Sequence, residues 1–171
     1  MSAFDALLGK VRGCTICAAD LPLGPRPVLQ LHPAARVLIA GQAPGRKVHE
    51  SGMPFADPSG DRLREWLGLS PEVFYDPRRV AILPMGFCYP GTGKSGDLPP
   101  RPECASAWRM PLLQRLKKLQ LTLVIGQYAQ AYHLPHPSPR NNLWLRRNPW
   151  FERELLPQLR ARVAAALEHT R

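Results

Sequence analysis

Three short apolar runs interrupt an otherwise mixed pattern of hydrophobic and polar positions. They are RVLIAG (36–41), VAILP (80–84) and LTLVIG (121–126), and each ends at glycine or proline. Apolar runs of this length that are closed by a loop-forming residue are typical of buried strands. We therefore predict three strands, each of which leads directly into a loop.

Amphipathic stretches lie between and after these runs. GDRLREWLGL (60–69) has apolar positions at helical spacing, with Ser59 as the predicted N-cap. The same spacing recurs in AWRMPLLQRLKKLQ (107–120) and in the tail, 151–167. Strands that alternate with helices predict an α/β fold with a largely parallel sheet, whose ligands bind where the strands end at their carboxyl side. At 171 residues, we expect one domain spanning 1–171.

Composition adds constraints on partners and location. The 20 prolines, about twice the average usage of roughly 5%, indicate stiff loops. The formal charge of +10 favours nucleic acid as a partner, because cationic side chains release the counterions of phosphates. A solvated basic surface is the alternative. No apolar run approaches the ~18 residues of a membrane span, so we expect a cytoplasmic protein that does not contact membranes.

The four cysteines form a spaced set. Cys14 and Cys17 make a C-x2-C pair, and Cys88 and Cys104 follow much later. In a reducing cytosol such thiols favour a metal site over disulfides. Four thiolates suit tetrahedral zinc or a [4Fe–4S] cluster, and their spacing does not decide between the two. Four thiols without a metal are the remaining alternative.

Three blocks, in order along the chain, resemble the uracil-DNA glycosylase superfamily, and most closely its iron–sulfur branch, often called family 4. They are GQAPGRKVHESGMPF (41–55), the cysteine framework with CYPGTGKSGDLPPRPEC (88–104), and HPSPRN (136–141). The last block also resembles the motif of the single-strand-selective branch. The resemblance implies a three-layer sandwich with a central, mostly parallel four-stranded sheet flanked by helices. It also implies that the four cysteines hold a [4Fe–4S] cluster.

The resemblance implies roles for the residues of a base pocket. His136 would donate to the uracil O2 as negative charge develops on the departing base. Phe55 would stack on the base after the base has been flipped out of the DNA. Gly41, Gln42 and the backbone of Ala43 would line the same pocket, because small residues let main-chain N–H groups approach the base closely.

The residues after the histidine are expected to contact DNA. Ser138 would hold a phosphate, and Asn141 belongs to the same loop. Arg140 stands where relatives carry the residue that fills the gap left by the flipped base, and an ordinary phosphate contact is its alternative role. The expected partner is single- or double-stranded DNA that contains uracil, and the protein is expected to be a monomer.

The first block departs from its relatives in its ionisable groups. Gln42 stands where the iron–sulfur branch has glutamate, and Ala43 stands where the classical branch has a water-activating aspartate. Neither residue can ionise, so the GQAPG segment (41–45) of this block contains no general base. His49, Glu50 and Asp57 are candidates for orienting the water, and we include His49 with His136 and Gln42 in the predicted catalytic set.

Two further departures concern specificity and completeness. Pro84 stands where the family has its uracil-reading asparagine, which favours a broader base range that includes xanthine and hypoxanthine. AYHL (131–134) runs directly into PHPSP (135–139), whereas relatives have a helix and a strand in between. Either the chain has lost an element or residues are missing between His133 and His136, and we expect the second.

Residues and resemblance together predict a monofunctional uracil-DNA glycosylase that begins base excision repair. No lysine occupies a recognisable Schiff-base position, so we expect no lyase activity. One rival is a relative that binds uracil or abasic DNA with little turnover, or that traps the exposed sugar covalently. The other rival is a non-enzymatic iron–sulfur module that binds nucleic acid.

Overall fold

The computed structural model describes residues 2–126, 133–134 and 136–168. The strands of these residues are β1 (Val37–Ala40), β2 (Val80–Ile82), β3 (Thr92–Gly93), β4 (Gly96–Asp97), β5 (Leu121–Ile125) and β6 (His133–Leu134). The helices are α1 (Ala3–Arg12), α2 (Arg46–Ser51), α3 (Pro58–Leu67), α4 (Pro71–Phe74), α5 (Pro102–Cys104), α6 (Met110–Leu113), α7 (Asn142–Arg147) and α8 (Leu156–Glu168). None of these helices combines the length and apolar content needed to cross a bilayer.

A parallel sheet forms the centre of the fold. β1 lies between β2 and β5, and Val37 is in register with Val80 on one side and Leu121 on the other. The three predicted strands and the α/β class are therefore confirmed. β6 pairs in parallel with the end of β5 but has only two residues. A strand of average length has about five or six, so the prediction of a four-stranded sheet is not confirmed.

Helices cover both faces of the sheet. Along β1, Val37 and Ile39 pack with the apolar faces of α3 and α8, whereas Leu38 packs with those of α1 and α6. Successive side chains of a strand point to opposite faces, so a strand between two helical layers must be apolar at every position. All four residues of β1 are buried, as this arrangement requires.

The helix boundaries differ from the sequence prediction in two ways. α3 has Asp57 rather than Ser59 as its N-cap, and the Asp57 carboxylate accepts from the Gly60 N–H at 2.9 Å. The predicted helix over 107–120 is instead a π-helical turn, Ala105–Arg109, followed by the short α6. Pro111 explains this change, because its missing N–H breaks the regular hydrogen-bond ladder of an α-helix.

The predicted helix over 151–167 also begins with a π-helical turn next to a proline. The turn, Phe151–Leu155, leads into α8, whose second residue is Pro157.

The predicted interruption just before His136 falls at residue 135, which lies outside the described residues, as do residues 127–132.

Candidate active site

A pocket of about 390 Å³ opens where the three parallel strands end. Gly41 follows β1, Pro84 lies two residues beyond β2, and Ile125 ends β5; all three line the pocket. This edge of a parallel sheet is where the loops of an α/β fold bind their ligands. The pocket brings together eight of the residues predicted from the sequence: Gly41, Gln42, Ala43, Phe55, His136, Ser138, Arg140 and Asn141.

The loop after β1 is held rigidly by the loop after β2. The N–H groups of Met85 and Gly86 donate to the carbonyls of Gly41 and Gln42, both at 2.9 Å. The side-chain amide of Gln42 extends to Gly126, beyond the end of β5, where it occupies the space that a Cβ would need. Gln42 therefore bridges the ends of β1 and β5.

Phe55 is held in a strained backbone conformation. Its φ is +55°, and it is the one residue other than glycine with a positive φ in the part of the chain described. Such a conformation costs on the order of 1–3 kcal/mol and persists where the surroundings enforce it. The Phe55 carbonyl packs directly on Gly60, and its ring meets Phe74 edge to face with centroids 6.1 Å apart. The ring also lies close to Gly41, where an added Cβ would be 3.6 Å from Cζ.

The imidazole of His136 has a defined tautomer. The backbone N–H of Ser138 donates to Nδ1 at 3.2 Å, so Nδ1 is an acceptor and the ring proton belongs on Nε2. Burial lowers the pKa of His136 below 6.5, against the opposing effect of the Asp57 and Asp97 carboxylates. A neutral imidazole that donates through Nε2 is the result.

Further hydrogen bonds fix the loop that carries the histidine. The Asn141 side-chain amide donates to the His136 carbonyl at 2.5 Å, and Arg62 of α3 donates to the Ser138 carbonyl at 3.3 Å. The Ser138 hydroxyl accepts from the Arg140 N–H at 3.3 Å, which leaves its own proton for another acceptor. The amide of Asn141 thus positions the histidine loop, and its predicted contact with DNA stays a prediction.

A hairpin made by β3 and β4 forms another wall of the pocket and brings Asp97 to it. The guanidinium of Arg140 packs on Gly96 and donates to the Ser95 carbonyl at 3.5 Å. Sequence reasoning did not single out Asp97. The sequence around Asp97 gives little indication of the hairpin, because each of its two strands has only two residues.

Of the three water-orienting candidates near the first motif, only Asp57 lines the pocket. His49 is 8% exposed, and its ring centroid is 6.2 Å from that of Tyr89. Its Nδ1 is buried and meets no hydrogen-bond partner among the described residues. Glu50 is exposed on α2. The structure therefore does not bring His49 or Glu50 to the pocket.

The four cysteines are free thiols in one region of the fold. Burial is the largest of the effects that raise the pKa of Cys88 to about 11, and the charges of the other three thiols act in the same direction. Burial raises the pKa of Cys104, and a hydrogen bond with Cys17 acts in the same direction. The Trp108 indole donates to Cys14 at 3.2 Å. Over the ranges described, however, no three potential ligands lie in an arrangement that could hold a metal ion.

The model of a known family matches most of the chain. The family model for the "Uracil DNA glycosylase superfamily" matches residues 30–160, well over half of the chain. The match includes the loop after β1, the interval between Cys88 and Cys104, and the His136 loop. Cys14 and Cys17 lie outside it.

Proposed function

The chain belongs to the uracil DNA glycosylase superfamily, and on that premise we propose that it is a monofunctional DNA repair glycosylase. It would flip uracil out of DNA and hydrolyse the bond between base and sugar, which begins base excision repair. The observation that carries this proposal is the neutral His136, fixed by Ser138 in the same pocket as the strained Phe55.

The pocket supports a mechanism in which the base leaves as an anion. The extruded uracil would stack on Phe55, and the Nε2–H of His136 would donate to the uracil O2. As the bond between the base nitrogen and C1′ breaks, its electron pair passes to the base and negative charge grows on that oxygen. A donor that is already fixed in place stabilises this charge without reorganising during the reaction.

Few side chains of the pocket could distinguish one base from another. Pro84 offers no amide, and its carbonyl already accepts from Arg109 at 3.2 Å. Of the amide side chains that line the described pocket, that of Asn141 donates to the His136 carbonyl, which leaves Gln42 as the best candidate to read the base edge. A single bridging amide discriminates weakly, so we propose a range that includes xanthine and hypoxanthine.

The DNA would lie across the rim of the pocket. Ser138 has a hydroxyl proton for a phosphate oxygen, and Arg140 is exposed beside it. The +10 charge of the chain favours binding to uracil-containing DNA, whether single- or double-stranded. We propose a cytoplasmic monomer that acts on both.

We further propose a [4Fe–4S] cluster. The donor set fits this group in its type of ligand: the thiols of Cys14, Cys17 and Cys104 lie near enough to Cys88 to raise its pKa, and thiolates are the usual ligands of such clusters. Cys14, Cys17, Cys88 and Cys104 would hold it. The raised pKa of Cys88 means that a cationic centre would be needed to keep its thiolate there. The cluster would be structural and would join the N-terminal segment to the loop after β2.

One experiment separates the proposed enzyme from its rivals. The protein is incubated with an end-labelled oligonucleotide that contains one uracil, with thymine in the control strand, and the products are treated with hot alkali. Cleavage at the uracil after alkali alone supports a monofunctional glycosylase. A protein–DNA adduct in a denaturing gel supports covalent trapping, and binding without either product supports the non-enzymatic module.

A further inference from the structure

This inference rests on the proposed glycosylase activity and concerns the water that completes it. The neutral His136 is already assigned: Nε2 donates to the base and Nδ1 accepts from Ser138. Gln42 and Ala43 cannot ionise. We infer that Asp97, at the end of β4, is the catalytic carboxylate that orients the attacking water and takes its proton.

The Asp97 carboxylate is held at one oxygen. Oδ1 accepts from the Thr92 hydroxyl at 3.2 Å, and that hydroxyl is hydrogen-bonded to the phenol of Tyr89. Tyr89 is 1% exposed, so the chain of bonds is anchored in the interior. Asp97 thus reaches the pocket on a rigid support, although the residue itself is exposed.

The second oxygen is directed at the motif loop. Oδ2 lies close to Gly45, where an added Cβ would be 3.4 Å away. Within the described residues no donor meets Oδ2. A water molecule could therefore bond to this oxygen between the hairpin and the motif loop.

The position of Arg140 indicates where Asp97 would lie relative to bound DNA. Its guanidinium packs on Gly96, the residue before Asp97 in the chain. If Arg140 fills the space of the flipped base, the adjacent carboxylate lies beside the sugar from which that base departs. The attacking water must lie at this position, because it forms its new bond to C1′ of the same nucleotide.

Asp57 is the other carboxylate that lines the pocket, and it has a different task. It accepts from the Gly60 N–H at 2.9 Å as the N-cap of α3. That bond fixes its orientation to the helix and accounts for its conformation without any ligand. Asp97 has no comparable helix to cap.

Hydrolysis takes place at C1′ of the flipped nucleotide. The bond between C1′ and the base nitrogen breaks, and its electron pair leaves with the base, whose O2 accepts from His136. The water oxygen forms the new bond to C1′, and the water proton passes to Asp97. Protonation of the released base from solvent and loss of the proton from Asp97 restore the enzyme. The products are the free base and an abasic sugar.

The test compares single-turnover excision of uracil by the full-length wild type and four variants. Asp97→Asn is expected to lower the rate by on the order of 100-fold or more, the usual range for loss of a general base. Asp61→Asn removes an equal charge from an exposed site outside the pocket and is expected to keep the wild-type rate. Asp57→Asn retains a capping side chain and is expected to lose far less than Asp97→Asn.

Chemical rescue makes the result independent of folding. Sodium formate is expected to restore part of the activity of Asp97→Ala, relative to sodium chloride at equal ionic strength, because formate can replace the missing carboxylate. Near-wild-type excision by Asp97→Asn, or a loss confined to Asp57→Asn, would overturn the inference while leaving the glycosylase proposal intact. A wild type that never releases uracil would overturn both.

Discussion

The backbone N–H of Ser138 donates to Nδ1 of His136 at 3.2 Å, and this bond determines what the histidine can do. It leaves Nε2 as the protonated nitrogen, and burial of the ring disfavours a second proton. The histidine is thus prepared as a neutral donor to a developing anion before any DNA binds.

The charge state of His136 can be measured directly. Because its pKa is lowered from 6.5, the ring is expected to stay neutral and Nε2-protonated as the pH falls to 6.5, and to charge only below it. The unfolded chain takes up its proton first, so this residue's contribution to stability is complete above pH 6.5 and is lost as the pH falls through the lower folded-state pKa. Long-range ¹H–¹⁵N NMR, assigned with His136→Gln, reports the tautomer. An imidazolium at pH 7 would contradict this prediction.

Arg140 is expected to matter more for double-stranded than for single-stranded DNA. Only a duplex has a gap to fill when the base leaves, and unstacking costs a few kcal/mol, so Arg140→Ala should lose on the order of tenfold more activity on the duplex. Arg146→Ala, on α7, is the matched control and should affect both substrates alike. Equal losses from Arg140→Ala on both substrates would show that Arg140 is an ordinary phosphate contact.

The close packing of the Phe55 carbonyl on Gly60 predicts how a substitution at Gly60 changes the free energy of unfolding. A Cβ at Gly60 would overlap the Phe55 carbonyl, so Gly60→Ala must move backbone and should lower the free energy of unfolding by on the order of 2 kcal/mol or more. Gly9→Ala, in α1, is the matched control, because nothing lies within 4 Å of its added Cβ. It should stabilise the helix by up to about 1 kcal/mol. Urea unfolding measures both, and an unaffected Gly60→Ala would mean that Phe55 is not held from this side.

The proposed [4Fe–4S] cluster is tested by measuring the iron and sulfide content of the protein. Protein purified without oxygen is expected to contain about four iron and four sulfide per chain, with a visible charge-transfer band. Cys104→Ser should lose the band and also reduce excision, because the hairpin that carries Asp97 lies between Cys88 and Cys104. One zinc per chain and no sulfide would show that the cysteines hold zinc and would contradict the proposed cluster.

Much of the fold and pocket could be predicted because strong local signals carry it. The glycine after β1 and the apolar strands locate the sheet edge, and the family-like motifs supply Phe55 and His136. Local signals also misled where a single residue overrides a pattern. Pro111 interrupts the predicted helix over 107–120, and Asp57 displaces Ser59 as the N-cap of α3.

The sequence prediction and the observed pocket differ at His49, which was predicted to act there, and at Asp97, which was not, and tertiary packing explains both differences. His49 follows the motif closely but turns inward against Tyr89 on a short helix. Asp97 is distant in sequence from the motif, and it reaches the pocket because the hairpin of β3 and β4 brings it next to Gly45. No periodic pattern in the sequence indicates that His49 turns inward or that Asp97 reaches the pocket.

The role of His136 in stabilising the departing base is tested by measuring the single-turnover rate of uracil release by His136→Ala and by the wild type, with the affinity of both for the same oligonucleotide. If His136 stabilises the departing base, the rate should fall by on the order of 100-fold or more, while the dissociation constant changes by less than about threefold. Release of uracil by His136→Ala at the wild-type rate would show that His136 does not stabilise the departing base.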